Sequence, residues 1–199
     1  MRRVLVACEF SGIVRDAFAA EHWDAWSCDL LPTERPGQHV MGPVEPLLDR
    51  GWDLMIAHPP CTHLAVSGAR HFKNKLPQQA VALEFVRLLL DAPIPRIALE
   101  NPVSIISTRI RRPDQIIQPW MFGHPESKAT CLWLKGLPPL LPTYVVPTPP
   151  SGRWANQTKG GHNRLGGRLK DRAKIRSRTY TGIAQAMASQ WGHLSSPTS

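Results

Sequence analysis

"WDLMIAHPPC", Trp52 to Cys61, is the stretch on which the reading of the whole chain turns. Leu54, Met55, Ile56 and Ala57 follow one another with no polar alternation, as in a strand covered on both faces. Two prolines then stop it, because proline has no N–H to give to a sheet ladder. The thiol of Cys61 stands directly behind the stop, in a loop that continues as "THLAVSG".

The neighbouring segments follow the same plan. Upstream, "RVLVAC" (Arg3–Cys8) is a short β-branched run, followed by Ser-Gly and by "IVRDAFAAE", where Val14, Phe18 and Ala19 have helical spacing. "DAWSCDLL" (Asp24–Leu31) predicts a second strand ending in an acid, and "VEPLLDRG" one or two helical turns. Downstream, "PQQAVALEFVRLLLDA" (Pro77–Ala92) opens with proline and places Val81, Phe85, Leu88 and Leu89 on one helical face. "RIALENP" (Arg96–Pro102) and "TCLWLKG" (Thr130–Gly136) predict further strands. Apolar strands alternating with helices specify an α/β domain, a mostly parallel sheet flanked by helices.

After that strand the texture changes. "LPPLLPTYVVPTPPSG" is proline-rich, and a basic, glycine-containing stretch follows before the helical "GIAQAMASQWG". The expected organisation is a catalytic domain over 1–140, a short basic recognition segment over 141–178, a helix returning to the domain over 179–192, and a disordered tail over 193–199.

Composition bounds the function. A chain of 199 residues with 42 % hydrophobic content suits one domain with a real core. No run approaches the roughly 18–20 apolar residues of a membrane span. Glu9 follows the first apolar run at once, so "MRRVLVACEFSG" reads as a first strand and not as a signal peptide. The four cysteines, Cys8, Cys28, Cys61 and Cys131, are scattered without a CxxC pair. That pattern fits a reducing cytoplasm, with any of the four a free thiol. His58, His63 and His71 lack metal-ligand spacing, so no metal is expected. The net charge is +9, and between Arg153 and Arg178 nine Lys/Arg face one acid, Asp171. With Trp154 and flexible glycines, this is the footprint of a polyanion-binding surface, the alternative being a solvated basic tail.

In open parallel sheets, ligands sit at the carboxyl ends of the strands. Here those ends read "CEFSG", "CDL", "HPPC" and "ENP". Cys8 and Cys28 read as small buried hydrophobes. Cys61 lies beyond its strand, where backbone N–H groups and basic neighbours can lower a thiol pKa and make it a nucleophile. Glu100 ends an apolar strand, and a carboxyl beside a thiolate tends to hold its proton. A thiolate and a carboxylic acid together are what attack on a pyrimidine C6 requires. His58 reads more readily as a residue satisfying the loop backbone than as a catalyst. Trp120, Trp133 and Trp191 read as packing residues.

The ordered pair "PPC" and "ENP", about forty residues apart, resembles the signature motifs of DNA cytosine-5 methyltransferases, and "CEFSGIVRDAF" is similar to that family's cofactor loop. The likeness runs from about Arg3 to Thr130, with a weaker echo in "RTYTGIAQAMA". It implies a Rossmann-like S-adenosylmethionine-dependent methyltransferase fold, a compact and phage-type member, and a bacterial or phage-infected cytoplasm. Cys61 would attack cytosine C6 and Glu100 would bind N3, with Asn101 supporting the loop. The cofactor S-adenosylmethionine would be held by Phe10, Ser11, Gly12, Asp29, Pro59 and Gly182. DNA, its cytosine flipped out or already single-stranded, would meet Pro60, Thr62, His63, Ser67, Lys128, Thr130, Arg176 and Arg178. Arg70 is a further loop candidate for DNA contact.

The sequence departs from that pattern in three places. The glycine-acid pair after the second strand is replaced in "GPVEP", where Pro43 follows Gly42 and Glu45 is a substitute at most. The arginine-rich strand motif has no clear match, and Ile183 follows Gly182 where the family has Asn. The recognition region spans at most about 141–174, which predicts weak or short specificity. The competing readings are modification of a free cytosine nucleotide, an amino-group methyltransferase, transfer from a non-methyl sulfonium donor, and a non-catalytic DNA-binding protein on a methyltransferase scaffold.

Overall fold

The computed structural model describes residues 1–66, 76–159 and 172–194. Its sheet consists of β1 (Arg3–Ala7), β2 (Asp24–Asp29), β3 (His39–Met41), β4 (Leu54–Ala57), β5 (Ile97–Pro102), β6 (Gln115–Ile117) and β7 (Thr130–Lys135). The spatial order is β3-β2-β1-β4-β5-β7-β6. The first five strands run parallel, while β7 pairs antiparallel with both β5 and β6. The mostly parallel α/β fold expected from the sequence is therefore present, and the start of β7 lies at the same rim as the carboxyl ends of the parallel strands.

Helices α1 (Ile13–Ala20), α2 (Leu76–Leu90), α3 (Ile106–Arg109), α4 (Arg172–Ser177) and α5 (Thr181–Trp191) and two 3-10 turns, Glu45–Leu47 and Pro119–Met121, complete the described elements. Side chains alternate across a strand, so β1 and β4 each feed two cores. Val4, Val6, Leu54 and Ile56 join α1, Trp23 and α5 on one face. Leu5, Ala7, Met55 and Ala57 join Trp52, α2 and α3 on the other. Val4–Ala7 of β1 and all of β4 are buried, which is why "VLVA" and "LMIA" contain no polar residue, while Arg3 at the start of β1 is half-buried.

Two sequence expectations need correction. The core-facing stripe of α2 is Gln79, Leu83, Val86 and Leu89, while Val81 and Leu88 are exposed. The helix is apolar on more than one face, and packing against the sheet selects between them. On α1, Ala19 is exposed and Arg15 is buried beside Val14 and Phe18. Trp133 and Trp191 are buried in the core. Trp120 is half-buried and stacks on Trp154 with centroids 5.8 Å apart. The segment Trp154–Gln157 is further held by Asn156, which bonds the Ser127 backbone in both directions.

Candidate active site

Connections from β1 and β4 leave the sheet in opposite directions, and the crevice between two such strands is where open α/β sheets bind ligands. One flank of that crevice is the loop after β1. Cys8 (φ 59) and Gly12 (φ 73) both take left-handed backbone there. Between them Glu9 is buried. Its carboxylate accepts hydrogen bonds from the Ser11 hydroxyl (2.9 Å), the Val14 amide (2.8 Å) and the Arg15 amide (3.3 Å). It therefore satisfies the free amides that open α1 and sits where the helix dipole favours an anion. Sequence reading treated Glu9 only as an acid following a strand; its position six residues before Arg15, across a Ser-Gly turn, was the available signal.

Arg15 organises the other wall of this flank. Its guanidinium is buried and bonds Asp16, Ser27, Thr33 and the carbonyls of Arg35 and Pro36. The loop after β2 is thus wrapped around a cation, and a Cβ at Gly37 would lie 2.6 Å from the guanidinium carbon. Phe10, predicted to face a cofactor, is buried and has the Lys174 ammonium 5.3 Å from its ring centroid. Asp29 ends β2 and takes the Leu31 amide at 2.9 Å. Burial, followed by the charge of Asp29, lifts the Cys8 thiol to about 12 and the Cys28 thiol to about 11, with Glu45 contributing to both. Asp29 at the end of β2 and Glu45 in the turn after β3 thus act on one locality around Cys8 and Cys28.

The second flank is "HPPC". The ladder runs one residue beyond β4, since the His58 amide donates to Ala7 at 2.9 Å. Asn101 is buried and donates to the Pro59 carbonyl at 2.8 Å, tying the cysteine loop to β5. Further along, the Val66 amide reaches Val103 and the Ile105 amide reaches Leu64, so the loop after Cys61 is stitched to the segment after β5. Cys61 and Thr62 are exposed. Pro60 and His63 line an apolar groove of about 440 Å³ with Val81 and Phe85 of α2. Ser67 and Arg70 lie outside the described residues.

His58 corrects the sequence reading. It does not merely serve the loop: Nδ1 lies 3.0 Å from Glu100 Oε2, and both side chains are largely buried (7 % and 14 % exposed). Nε2 is buried and has no protein partner among the described residues. Burial pushes the Glu100 carboxyl up. The hydrogen bond from His58 and the charges of Lys128 and His58 outweigh it, so the carboxyl lies below the ordinary glutamate range. The expectation of a carboxyl held protonated by a neighbouring thiolate is thereby reversed. Cys61 departs in the opposite sense. Desolvation and the Glu100 charge lift its thiol, against smaller lowering by Lys128, its loop backbone and Arg176. Glu100, Lys128 and Arg176 all act on the Cys61 thiol, and Lys128 acts on Glu100 as well, which puts Cys61 and Glu100 in reach of the same cation.

The remaining predicted residues have the following partners. Lys128 donates to the Arg176 carbonyl at 3.0 Å. Thr130 is buried, its hydroxyl turned onto the Lys128 carbonyl at 3.1 Å. Arg178 reaches across to Glu34 with two hydrogen bonds (2.9 and 2.8 Å), and Lys174 joins it at 3.1 Å. Gly182 gives its amide to His124, and a Cβ there would fall 2.0 Å from the Phe122 carbonyl. The close approach of the Phe122 carbonyl leaves no room for a side chain at this position. Among the described residues no group of three or more His, Cys, Asp or Glu is placed to hold a metal ion, and no helix is long and apolar enough to cross a membrane.

No protein-family model matches the chain, and no curated protein matches it. Among solved structures, one match is a prophage-encoded E. coli protein whose assignment as a DNA modification methyltransferase is itself provisional. Identity is 12 % and the TM-score 0.49, with 80 % of this chain covered. The chain spans 56 % of the length of that structure.

Proposed function

We propose that the protein is a DNA cytosine-5 methyltransferase that uses S-adenosylmethionine. The observation that carries this reading is the meeting of Cys61 and Glu100 in one neighbourhood at adjacent strand ends, with the cysteine loop fastened to β5 through Asn101. A thiolate that adds to cytosine C6 pushes electrons through C5 and C4 to N3. Glu100, a carboxylate in the free protein, takes up a proton as the base enters and hands it to N3 as that charge develops. The ring is then an enamine with a nucleophilic C5.

The other flank suits the cofactor. Asp29 and Glu45 offer carboxylates to hydroxyl and amino hydrogens, Phe10 offers an aromatic face, and Ser11 and Gly12 bring backbone close. When bound, S-adenosylmethionine supplies an electrophilic methyl group. Loss of the C5 proton then expels Cys61 from C6, and N3 gives its proton back to Glu100 as the aromatic ring is restored. A cytosine inside a duplex must leave the stack before its C6 can be reached. The cations of α4, beside Lys128 and the Cys61 locality, suit the strand that carries it.

Incubation with DNA in which every cytosine is 5-fluorocytosine, together with the methyl donor, tests the reading. The fluorine at C5 cannot leave as a proton does, so a covalent complex is expected with the native protein and none with Cys61→Ser. A complex that survives the substitution overturns the assignment.

A further inference from the structure

Two tryptophans are placed unlike those of the core. Trp133 and Trp191 are wholly buried and give their indole N–H groups to the Arg111 and Pro138 carbonyls at 2.8 and 3.0 Å. Trp120 and Trp154 are only half-buried, and among the described residues no protein group accepts either indole N–H. Their rings are parallel to within 6°, with centroids 5.8 Å apart. At a face-to-face spacing of about 3.5 Å, that geometry needs a sideways slip of about 4–5 Å. Each indole therefore covers only part of the other's face. The residues around Trp154 in the chain include the exposed Arg153, Ala155 and Lys159.

The pair is fastened to the rim that carries Cys61 and Glu100. Gln118, two residues before Trp120, accepts the Lys128 amide at 2.9 Å, and the Trp120 carbonyl accepts the Val146 amide at 2.8 Å. On the other side, the Ala155 amide donates to the Pro125 carbonyl at 2.9 Å, and Asn156 holds the Ser127 backbone in both directions. Segment 125–128 is thus gripped from both tryptophans and leads into β7, where Thr130 pairs with Pro102, two residues after Glu100. Lys128, at its end, acts on both Cys61 and Glu100. Resting on the cytosine-5 reading, we propose that Trp120 and Trp154 form a stacking platform for an unstacked nucleobase that flanks the target cytosine on the same strand. A cytosine that leaves the stack uncovers the π-face of its neighbour, and a partly open indole step offers that face a new layer. The charge around the platform suits a polyanion, since nine Lys/Arg face one acid between Arg153 and Arg178. Every base has a π-face, so such a platform tolerates sequence, in keeping with a short recognition region.

The test is read in binding and needs no methyl donor. A short single strand of DNA with one cytosine is titrated with the native protein, and each flanking nucleotide is replaced in turn by an abasic site. The abasic site keeps its phosphate, so the electrostatic part of binding is unchanged. One flanking position is expected at which the abasic strand binds about tenfold more weakly. A plain purine there, with a π-face but no exocyclic group, is expected to bind as well as adenine. Trp154→Leu keeps apolar bulk without an aromatic face. It should bind the intact strand about tenfold more weakly and lose nothing further with the abasic site. Trp154→Phe should stay within about threefold of the native protein and keep the abasic penalty.

A native protein with no sensitive flanking position overturns the platform, as does an abasic penalty in Trp154→Leu equal to the native one. Weak binding of the plain-purine strand overturns it too, since the base is then read at its edge and not by its face. If Trp154→Leu fails to fold, the abasic and plain-purine comparisons in the native protein and in Trp154→Phe decide. Native protein that neither binds the strand nor traps 5-fluorocytosine removes the cytosine-5 reading and the platform with it. Trapping that persists while the abasic scan is flat removes the platform alone.

Discussion

Arg15→Met would test whether the buried guanidinium holds the loop after β2 in place. Methionine replaces most of the aliphatic stem, so the loss is confined to six hydrogen bonds: two to Asp16 and one each to Ser27, Thr33 and the carbonyls of Arg35 and Pro36. Several acceptors keep other donors, Arg35 O from the Thr33 hydroxyl and Ser27 Oγ from its contact with His39. Full additivity is therefore excluded. The charge left behind, Asp16, is partly exposed and keeps Arg35 at 3.5 Å, so the cost is that of lost hydrogen bonds to a charged group, about 1.5–3 kcal/mol. For a domain of this size, about 2–4 °C of melting temperature accompany each kcal/mol, giving a drop of about 3–12 °C. Denaturant titration supplies the free energy, and cleavage by a glutamate-specific protease at Glu34 reports the loop locally. Both are expected to change, with cleavage accelerated below the unfolding transition. A variant within about 1 kcal/mol of the native protein, with Glu34 equally protected, would refute the role assigned to the guanidinium.

Three further outcomes are expected. Cys61 alkylation by iodoacetamide should be slower at neutral pH than that of an ordinary thiol, because its pKa is raised. Glu100→Gln removes a charge that raises that pKa and should accelerate it, whereas Lys128→Ala should slow it further. Gly182→Ala drives a methyl group into the Phe122 carbonyl and should destabilise by about 1–3 kcal/mol, measured by chemical denaturation. Burial raises the Asp114 carboxyl, but the Leu134 amide (2.7 Å) and Arg111 (2.6 Å) outweigh it, leaving it below the ordinary aspartate range. A depressed folded-state pKa contributes stability above the unfolded value that is lost as pH falls through the folded one. Asp114→Asn should accordingly flatten the acid limb of a stability–pH curve.

The elements that could be read from sequence were those whose burial leaves no choice of residue. β1, β4 and β5 are apolar on both faces, and prolines or acids mark their ends. β3 and β6 were not predicted, because three residues such as His39–Met41 or Gln115–Ile117 are too few to establish a period. Cys61 and Glu100 could be singled out because the chain places both at strand termini. His58 could not, since its bond to Glu100 spans 42 residues and nothing local announces it. Protonation was misjudged for the same reason: it depends on how close Lys128 and His58 come to Glu100. Nothing local singles out Arg15 either, since only the loop folded over it makes it interior.

α5 has a consequence for how the protein is made. Ile183, Ala184, Met187 and Trp191 fill the same core as Val14, Phe18 and Trp23, and Arg2 donates to the Leu194 carbonyl at 2.9 Å. A nascent chain thus extends its first helix from the ribosome with an oily flank that stays bare through the synthesis of some 160 more residues. Parallel strands joined over long sequence separations already fold slowly. This arrangement postpones closure until Trp191 clears the exit tunnel, and over that interval the growing polypeptide is a client for trigger-type chaperones and a substrate for proteases.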